Sequence, residues 1–214
     1  MPNKSEIIIH KDFKKFVDAK NLMLNLGCGK DIKKDFLNID NKLRKEKLNK
    51  IAQKRSGEAL DVILHDLTSL IPIPLPENSC KFIYSSDFLE HIYNKQALDL
   101  LFNCYKVLKC GGSIRLCLPD MKKCCKAYIN GDFSFFTDVS QIKFSNYIET
   151  SKTIIDYMNL LVYGSEHKYC YDVEKIVKML ETTGFRKIRE SSLHPIDSCG
   201  LYRRRFSFYI IAEK

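Results

Sequence analysis

A short apolar strand that runs straight into a pair of glycines constrains this chain more than any other feature. Leu22 to Leu26 has the length and composition of a strand buried on both faces, and Gly27-Cys28-Gly29 follows it at once. Glycine there admits φ > 0, and without a Cβ a ligand can approach the backbone closely. In an open parallel sheet, ligands bind beyond the carboxyl ends of the strands, so this turn marks a binding site. A second strand, Phe36 to Ile39, ends in Asp40. A carboxylate at that tip is placed to accept hydrogen bonds from a ribose diol.

The glycine pattern is truncated. Ile32 stands where a Gly-x-Gly-x-x-Gly motif has its third glycine, and only ten residues separate Gly29 from Asp40. That spacing is too short for a full crossover helix. Both features count against a pyrophosphate-binding dinucleotide site. A nucleoside without phosphates, such as S-adenosylmethionine, asks only for the close turn and the ribose carboxylate.

At 214 residues and 45% hydrophobic content, the chain supports one substantial core, and a single domain over residues 1–214 is expected. No apolar run approaches the roughly 18 residues of a membrane span. The opening residues lack the basic-then-apolar layout of a signal peptide. Nine cysteines, with Cys124 and Cys125 adjacent and no Cys-x-x-Cys pair, point to reduced thiols in a cytoplasmic protein. The net charge of +9 suits anionic partners, with dense runs at Lys42 to Arg55 and Arg203 to Arg205. The first of these reads as a solvated helix face or loop. No aromatic-basic recognition motif accompanies the charge, so nucleic acid is not the expected partner.

Along the chain, Ile7 to Ala19 reads as a helix leading into the first strand. Further strands are predicted at Asp61 to His65, Lys81 to Ser85 and Ser113 to Leu118. An amphipathic helix with its apolar face at Ala97, Leu101, Cys104, Tyr105 and Leu108 stops at Gly111-Gly112. Met121 to Ser165 is irregular and aromatic-rich, and reads as helical pieces covering the crevice. Asp172 is an N-cap for a helix with apolar stripe Val173, Ile176, Val177 and Leu180, and Gly184 is its C′ residue. Two strands, Phe185 to Leu193 and Arg205 to Ala212, close the chain. The expected architecture is an α/β, doubly wound, mostly parallel sheet of seven strands with an antiparallel C-terminal pair.

Leu-Asn-Leu-Gly-Cys-Gly, Asn38-Ile39-Asp40, His65-Asp66-Leu67, Tyr84 to His91 and Leu108 to Gly112 resemble, in order, the motifs of S-adenosylmethionine-dependent methyltransferases with the Rossmann-like fold. The resemblance covers about Leu22 to Asp120. It implies that Gly27, Cys28 and Gly29, with Asn25 before them, face the methionine part of S-adenosylmethionine. It implies that Asp40 holds the ribose, that Asp66 and Leu67 read the adenine, and that Ser85 and Ser86 line the cofactor beside the methyl group. Asn25 stands where many members carry Asp. A looser similarity links Tyr163-Gly164, Glu166-His167-Lys168, Tyr171-Asp172 and Ser207-Phe208-Tyr209 to bacterial methyltransferases of cell-surface polysaccharide synthesis. It implies O-methylation of a small molecule or sugar-containing acceptor.

Transfer from a sulfonium is mainly a matter of positioning and desolvation, to which a general base adds roughly 10²–10⁴-fold for a hydroxyl acceptor. His167, in a polar-aromatic stretch expected to cap the crevice, is the candidate catalytic base. Asp120, at the tip of a strand, is second, and its alternative is to cap the following helix. Asp87, Glu90 and His91 share one helix face and invite a metal reading. No second histidine is near them in sequence, and no metal is expected. The competing functions are a catalytically silent S-adenosylmethionine-binding protein and an RNA methyltransferase.

Overall fold

The computed structural model describes residues 6–10, 12–41, 59–69, 71–139, 153–164, 166–197 and 205–214. The basic run at 42–55 lies outside them, as do residues 203 and 204. Strands β2 (Leu22–Leu26) and β3 (Leu37–Asp40) form as the apolar runs dictate, and they pair in parallel with Leu26 opposite Ile39. With β4 (Ala59–Leu64), β5 (Cys80–Ser86) and β6 (Leu108–Pro119) they make the parallel body of the sheet. β7 (Arg186–Ser191) and β8 (Ser207–Glu213) add the antiparallel end, with β8 inserted between β6 and β7. The order β1-β4-β3-β2-β5-β6-β8-β7, with β1 at Glu6–His10, reverses direction beside β2, the switch point where a crevice opens.

The sheet has eight strands, not the expected seven, because the predicted helix over Ile7 to Ala19 does not form. Glu6–His10 is β1, which pairs in parallel with β4. Ile7, Ile8 and Ile9 are consecutive β-branched residues, which lose χ1 freedom in a helix and fit a pleated surface. The neighbouring edge of β4 supplies hydrogen bonds that a free helix would not find. Only a short turn, Lys14–Phe16, is helical, and it buries Phe13 and Phe16.

Helix α1 (Asn94–Val107) buries Ala97, Leu100, Leu101, Cys104 and Val107 on one face. It ends before the predicted stop. Gly111 and Gly112 lie inside β6, where Gly111 takes φ +74° and a Cβ on Gly112 would press on the Lys109 carbonyl. The stretch after β6 gives α2 (Met121–Ile129), α3 (Phe133–Val139), α4 (Ile154–Asn159) and a π-helical turn at Leu160–Gly164. Phe135, Phe136, Tyr157, Leu161 and Phe206 pack there into an apolar cluster of their own. Helix α5 (Val173–Thr182) is capped by Asp172, whose carboxylate accepts from the Lys175 amide at 2.8 Å, and Gly184 follows it at φ +99°.

One ion pair is deep in the protein. The Arg115 guanidinium, on β6, donates to both carboxylate oxygens of Asp197, through Nε at 2.9 Å and through Nη2. Their side chains are 5% and 0% exposed. Asp197→Ala would leave a cation without its counter-charge, so it should lower stability by about 3–5 kcal/mol in urea unfolding. The paired replacement Arg115→Met with Asp197→Leu should recover most of that loss.

Candidate active site

The loop between β2 and β3 contains no helix, and a buried amide network holds its shape. Asn25 Nδ2 donates to the Asn38 side-chain oxygen at 2.8 Å and to the Asp31 carbonyl at 2.7 Å. Asn38 Oδ1 also accepts from the Lys33 amide, while its Nδ2 donates to the carbonyls of Lys33, Phe36 and Asp61. With both ends of the loop tied to the strands, the Gly29 amide meets Asp40 Oδ2 at 3.0 Å. Gly29 has φ +51°, and an added Cβ there would meet no atom within 4 Å. The room is on the ligand side.

Gly29 and Asp40 border a cleft of about 340 Å³, within the size range of small-ligand sites. Gly27, Gly29, Asp40, Asn41 and Thr68 line it together with Asp87, Phe88, His91 and Glu166, and Phe88 lies directly against Gly27. Two of these, Asp87 at φ +48° and Glu166 at φ +59°, hold left-handed backbone. Side chains rarely adopt it, and such strain concentrates at functional sites. The Asp87 amide donates to the Cys117 carbonyl at 3.0 Å, which fixes that turn against β6.

The remaining expected cofactor residues, Asn25, Cys28, Asp66, Leu67, Ser85 and Ser86, are not among the residues that line this cleft. Asp66 Oδ1 accepts from the Thr68 amide and hydroxyl and from Asn41, and Thr68 holds its carboxyl below the usual range. Leu67 is buried in the main core. Asn25 is occupied by the network described above. The Cys28 side chain packs with Ile32, Leu60 and Val62, and burial, with Asp40 and Asp31 nearby, pushes its thiol up. Ser85 is buried and donates to the Leu26 carbonyl at 3.1 Å, while Ser86 is half-buried beside Asp87.

The two expected bases take different places. Asp120 Oδ1 accepts from the amides of Lys122 and Lys123 at 3.0 and 3.3 Å, so its carboxylate caps α2. His167 stands behind His91, the rings edge to face at 4.8 Å. What brings it there is the Glu90 carbonyl, which accepts from the amides of Lys168 and Tyr169 at 2.7 and 3.2 Å. Burial, and then the His91 ring, lower the His167 imidazole to about 4. It is therefore neutral at physiological pH. Sequence reasoning passed over Asn41, Thr68, Phe88 and Glu166. Glu166 adjoins His167, and Phe88 lies inside the Asp87 to His91 motif, so both had a signal. Asn41 and Thr68 had none beyond following the strand-tip acids by one and two residues.

Residues 24–116 match the methyltransferase domain family. That span runs from β2 into β6 and holds the glycine turn, Asp40 and Asp87 to His91, but not His167. No curated protein matches the sequence. The fold is similar to that of a SAM dependent methyltransferase from Archaeoglobus fulgidus, with TM-score 0.55, 16% identity, and 94% of this chain and 90% of that one covered. It is similar to an S-adenosylmethionine dependent methyltransferase from Mesorhizobium loti, with TM-score 0.54, 15% identity, and 93% of each chain covered. A third similar structure is the Haemonchus contortus phosphoethanolamine N-methyltransferase 2 in complex with phosphomonomethylethanolamine and S-adenosylhomocysteine. Its TM-score is 0.52 at 13% identity, over 92% of this chain and 49% of that one.

Two measurements check the site's geometry. Gly27 has φ +62°, and a Cβ there would sit inside the Phe88 ring. Gly27→Ala should therefore cost more than about 1 kcal/mol in urea unfolding, and Phe88→Ala in the same chain should return part of it. An NMR titration should place the His167 midpoint near 4. The unfolded chain, with its ordinary histidine, then takes up a proton that the folded one refuses, so stability should fall as pH drops from 6.5 toward 4.

Proposed function

We propose that the chain is an S-adenosylmethionine-dependent methyltransferase, a reading supported by the methyltransferase-domain match over residues 24–116, and that the methyl group goes to a hydroxyl of a small-molecule or sugar-containing acceptor. The observation that carries the cofactor half of this reading is the Gly29–Asp40 contact at 3.0 Å in the lining of the cleft. The residues fit the cofactor: the open side of Gly29 admits a ligand against the backbone, and Asp40 is held at the strand tip for a diol. Bound there, S-adenosylmethionine supplies a methyl group activated by the sulfonium charge.

Each residue then has a defined task. Gly27 and Gly29 give the methionine part close backbone contact, and Asp40 accepts from the ribose hydroxyls. Asn41 and Thr68, braced by Asp66, border the adenine end. Asn25, Cys28, Leu67 and Ser85 shape the walls from behind, and Ser86 lies beside Asp87 near the methyl. The acceptor approaches from the wall of Asp87, His91 and Glu166. His91, backed by His167, is the polar group there suited to a hydroxyl, and the net charge of +9 favours an acceptor that carries phosphate. Asp120 keeps its place as a helix cap.

Calorimetry with S-adenosylhomocysteine should show binding that Asp40→Ala weakens by about 1–3 kcal/mol, the scale of hydrogen bonds to a charged group. Preferred binding of NAD would overturn the cofactor reading. Labelled S-adenosylmethionine, supplied with fractionated small-molecule extract, should yield a methyl ether, and His167→Ala should lower kcat by roughly 10²–10⁴-fold with cofactor affinity unchanged. A labelled N-methyl product, or labelled RNA, would overturn the acceptor.

A further inference from the structure

We propose that Glu90, His91 and His167 form a binding site for a divalent transition-metal ion at the acceptor wall of the cleft. One carboxylate oxygen and two ring nitrogens of these residues all lie within 4.8 Å of one another. Ligand bonds of about 2.1 Å at angles of about 90–110° put donors about 3.0–3.4 Å apart, so the most distant pair must close by as much as about 1.4–1.8 Å, a movement within reach of side-chain rotation. Glu90 and His91 sit side by side in the short helical turn Leu89–His91. His167 is far away in sequence and joins them through the two amide bonds to the Glu90 carbonyl.

A second observation is the hydroxyl of Tyr171 beside the cluster, unpartnered among the described residues. Behind the cluster lies a cavity of about 10 Å³, bordered by Glu90, His167, Tyr169 and Tyr171. That is the space of one water molecule. Tyr171 is 2% exposed, and its hydroxyl has no hydrogen-bond partner among the described residues. A buried hydroxyl left so is costly, and a water carried by a bound ion would satisfy it. Glu90 is 2% exposed as well.

The donor set selects the ion. Two imidazoles and one carboxylate leave two positions of a five-coordinate ion, one for a water toward Tyr171 and one toward the cleft, a set that zinc, cobalt, manganese and iron accommodate. His91 is exposed and borders the cofactor cleft, so the open position faces the acceptor. The role of the ion, though not its presence, rests on the methyl-transfer reading above. An ion there lowers the pKa of an acceptor hydroxyl. The hydroxyl proton leaves to solvent, the oxygen–carbon bond forms as the sulfur–carbon bond breaks, and neutral S-adenosylhomocysteine departs. No side-chain base is then required, in keeping with Asp120 as a cap.

The test uses the full chain, freed of metal by a chelator and titrated with Co²⁺. One equivalent should bind with a visible d–d spectrum and without a thiolate charge-transfer band. Glu90→Gln, His167→Ala and the exposed His91→Ala should each weaken Co²⁺ binding by at least about 10-fold, while S-adenosylhomocysteine affinity stays unchanged. The His91 variant keeps the test open should a buried substitution prevent folding. Absence of Co²⁺ binding, equal binding by the variants, or a thiolate band assigning the ion to cysteines would overturn the site. Chelation should also depress methyl transfer, and Zn²⁺ or Mn²⁺ should restore it. Turnover indifferent to the chelator would overturn the ion's role. Loss of S-adenosylhomocysteine binding in the parent protein would instead count against the methyltransferase reading, and the cobalt titration needs no acceptor.

Discussion

The amide pair Asn25–Asn38 is the interaction on which the cofactor side of the molecule depends. Two neighbouring parallel strands would normally be joined by a crossover helix whose first turn orients the glycine loop. Here the connection is too short for one. Asn38 instead satisfies five hydrogen bonds, three within the loop to Lys33 and Phe36 and two that reach Asn25 on β2 and Asp61 on β4. A buried amide is worth such a place only when each of its donors and acceptors is met. Because they are, Gly29 and Asp40 arrive within hydrogen-bond distance with no helix to guide them.

Much of this was legible in the chain. Leu22 to Leu26 followed by glycine, the Asp40 tip, the Asp172 cap and Gly184 are local signals, each resting on the chemistry of one or two residues, and the structure places them as read. The failures are where the deciding partner is remote. Ile7 to Ala19 was read as a helix because its polar and apolar residues mix. The edge of β4 that turns Ile7 to Ile9 into a strand lies beyond β3 and cannot be seen from the segment itself. Gly111-Gly112 was taken as a helix stop, although Val107 already ends the helix.

The acceptor side shows the same division more sharply. Glu90 and His91 are visible as neighbours in the sequence. His167 joins them by a route that no spacing rule encodes, through the Lys168 and Tyr169 amides on the Glu90 carbonyl. Its depressed basicity is likewise a property of burial among partners, not of the residue. Asp87 and Glu166, two of the cleft's lining residues, hold left-handed backbone, as do Asn21, Asp35, Asn78 and Lys187 elsewhere, and the folded surroundings keep them there.

The pairing of β1 with β4 also sets an order of assembly. β1 is made before its partner and cannot find its place until β2, β3 and the long segment before β4 have been added, and β4 itself is edged by β3. The isoleucines of β1 must therefore remain apart from the sheet while its centre assembles, an apolar segment in waiting. Non-local pairing of this kind is slow, and exposed strand-forming segments favour aggregation meanwhile. Lys11, Lys14 and Lys15 follow that segment directly. Positive charge beside an apolar strand acts as a gatekeeper against such association, so the basic residues nearest β1 serve the nascent chain as much as the finished enzyme.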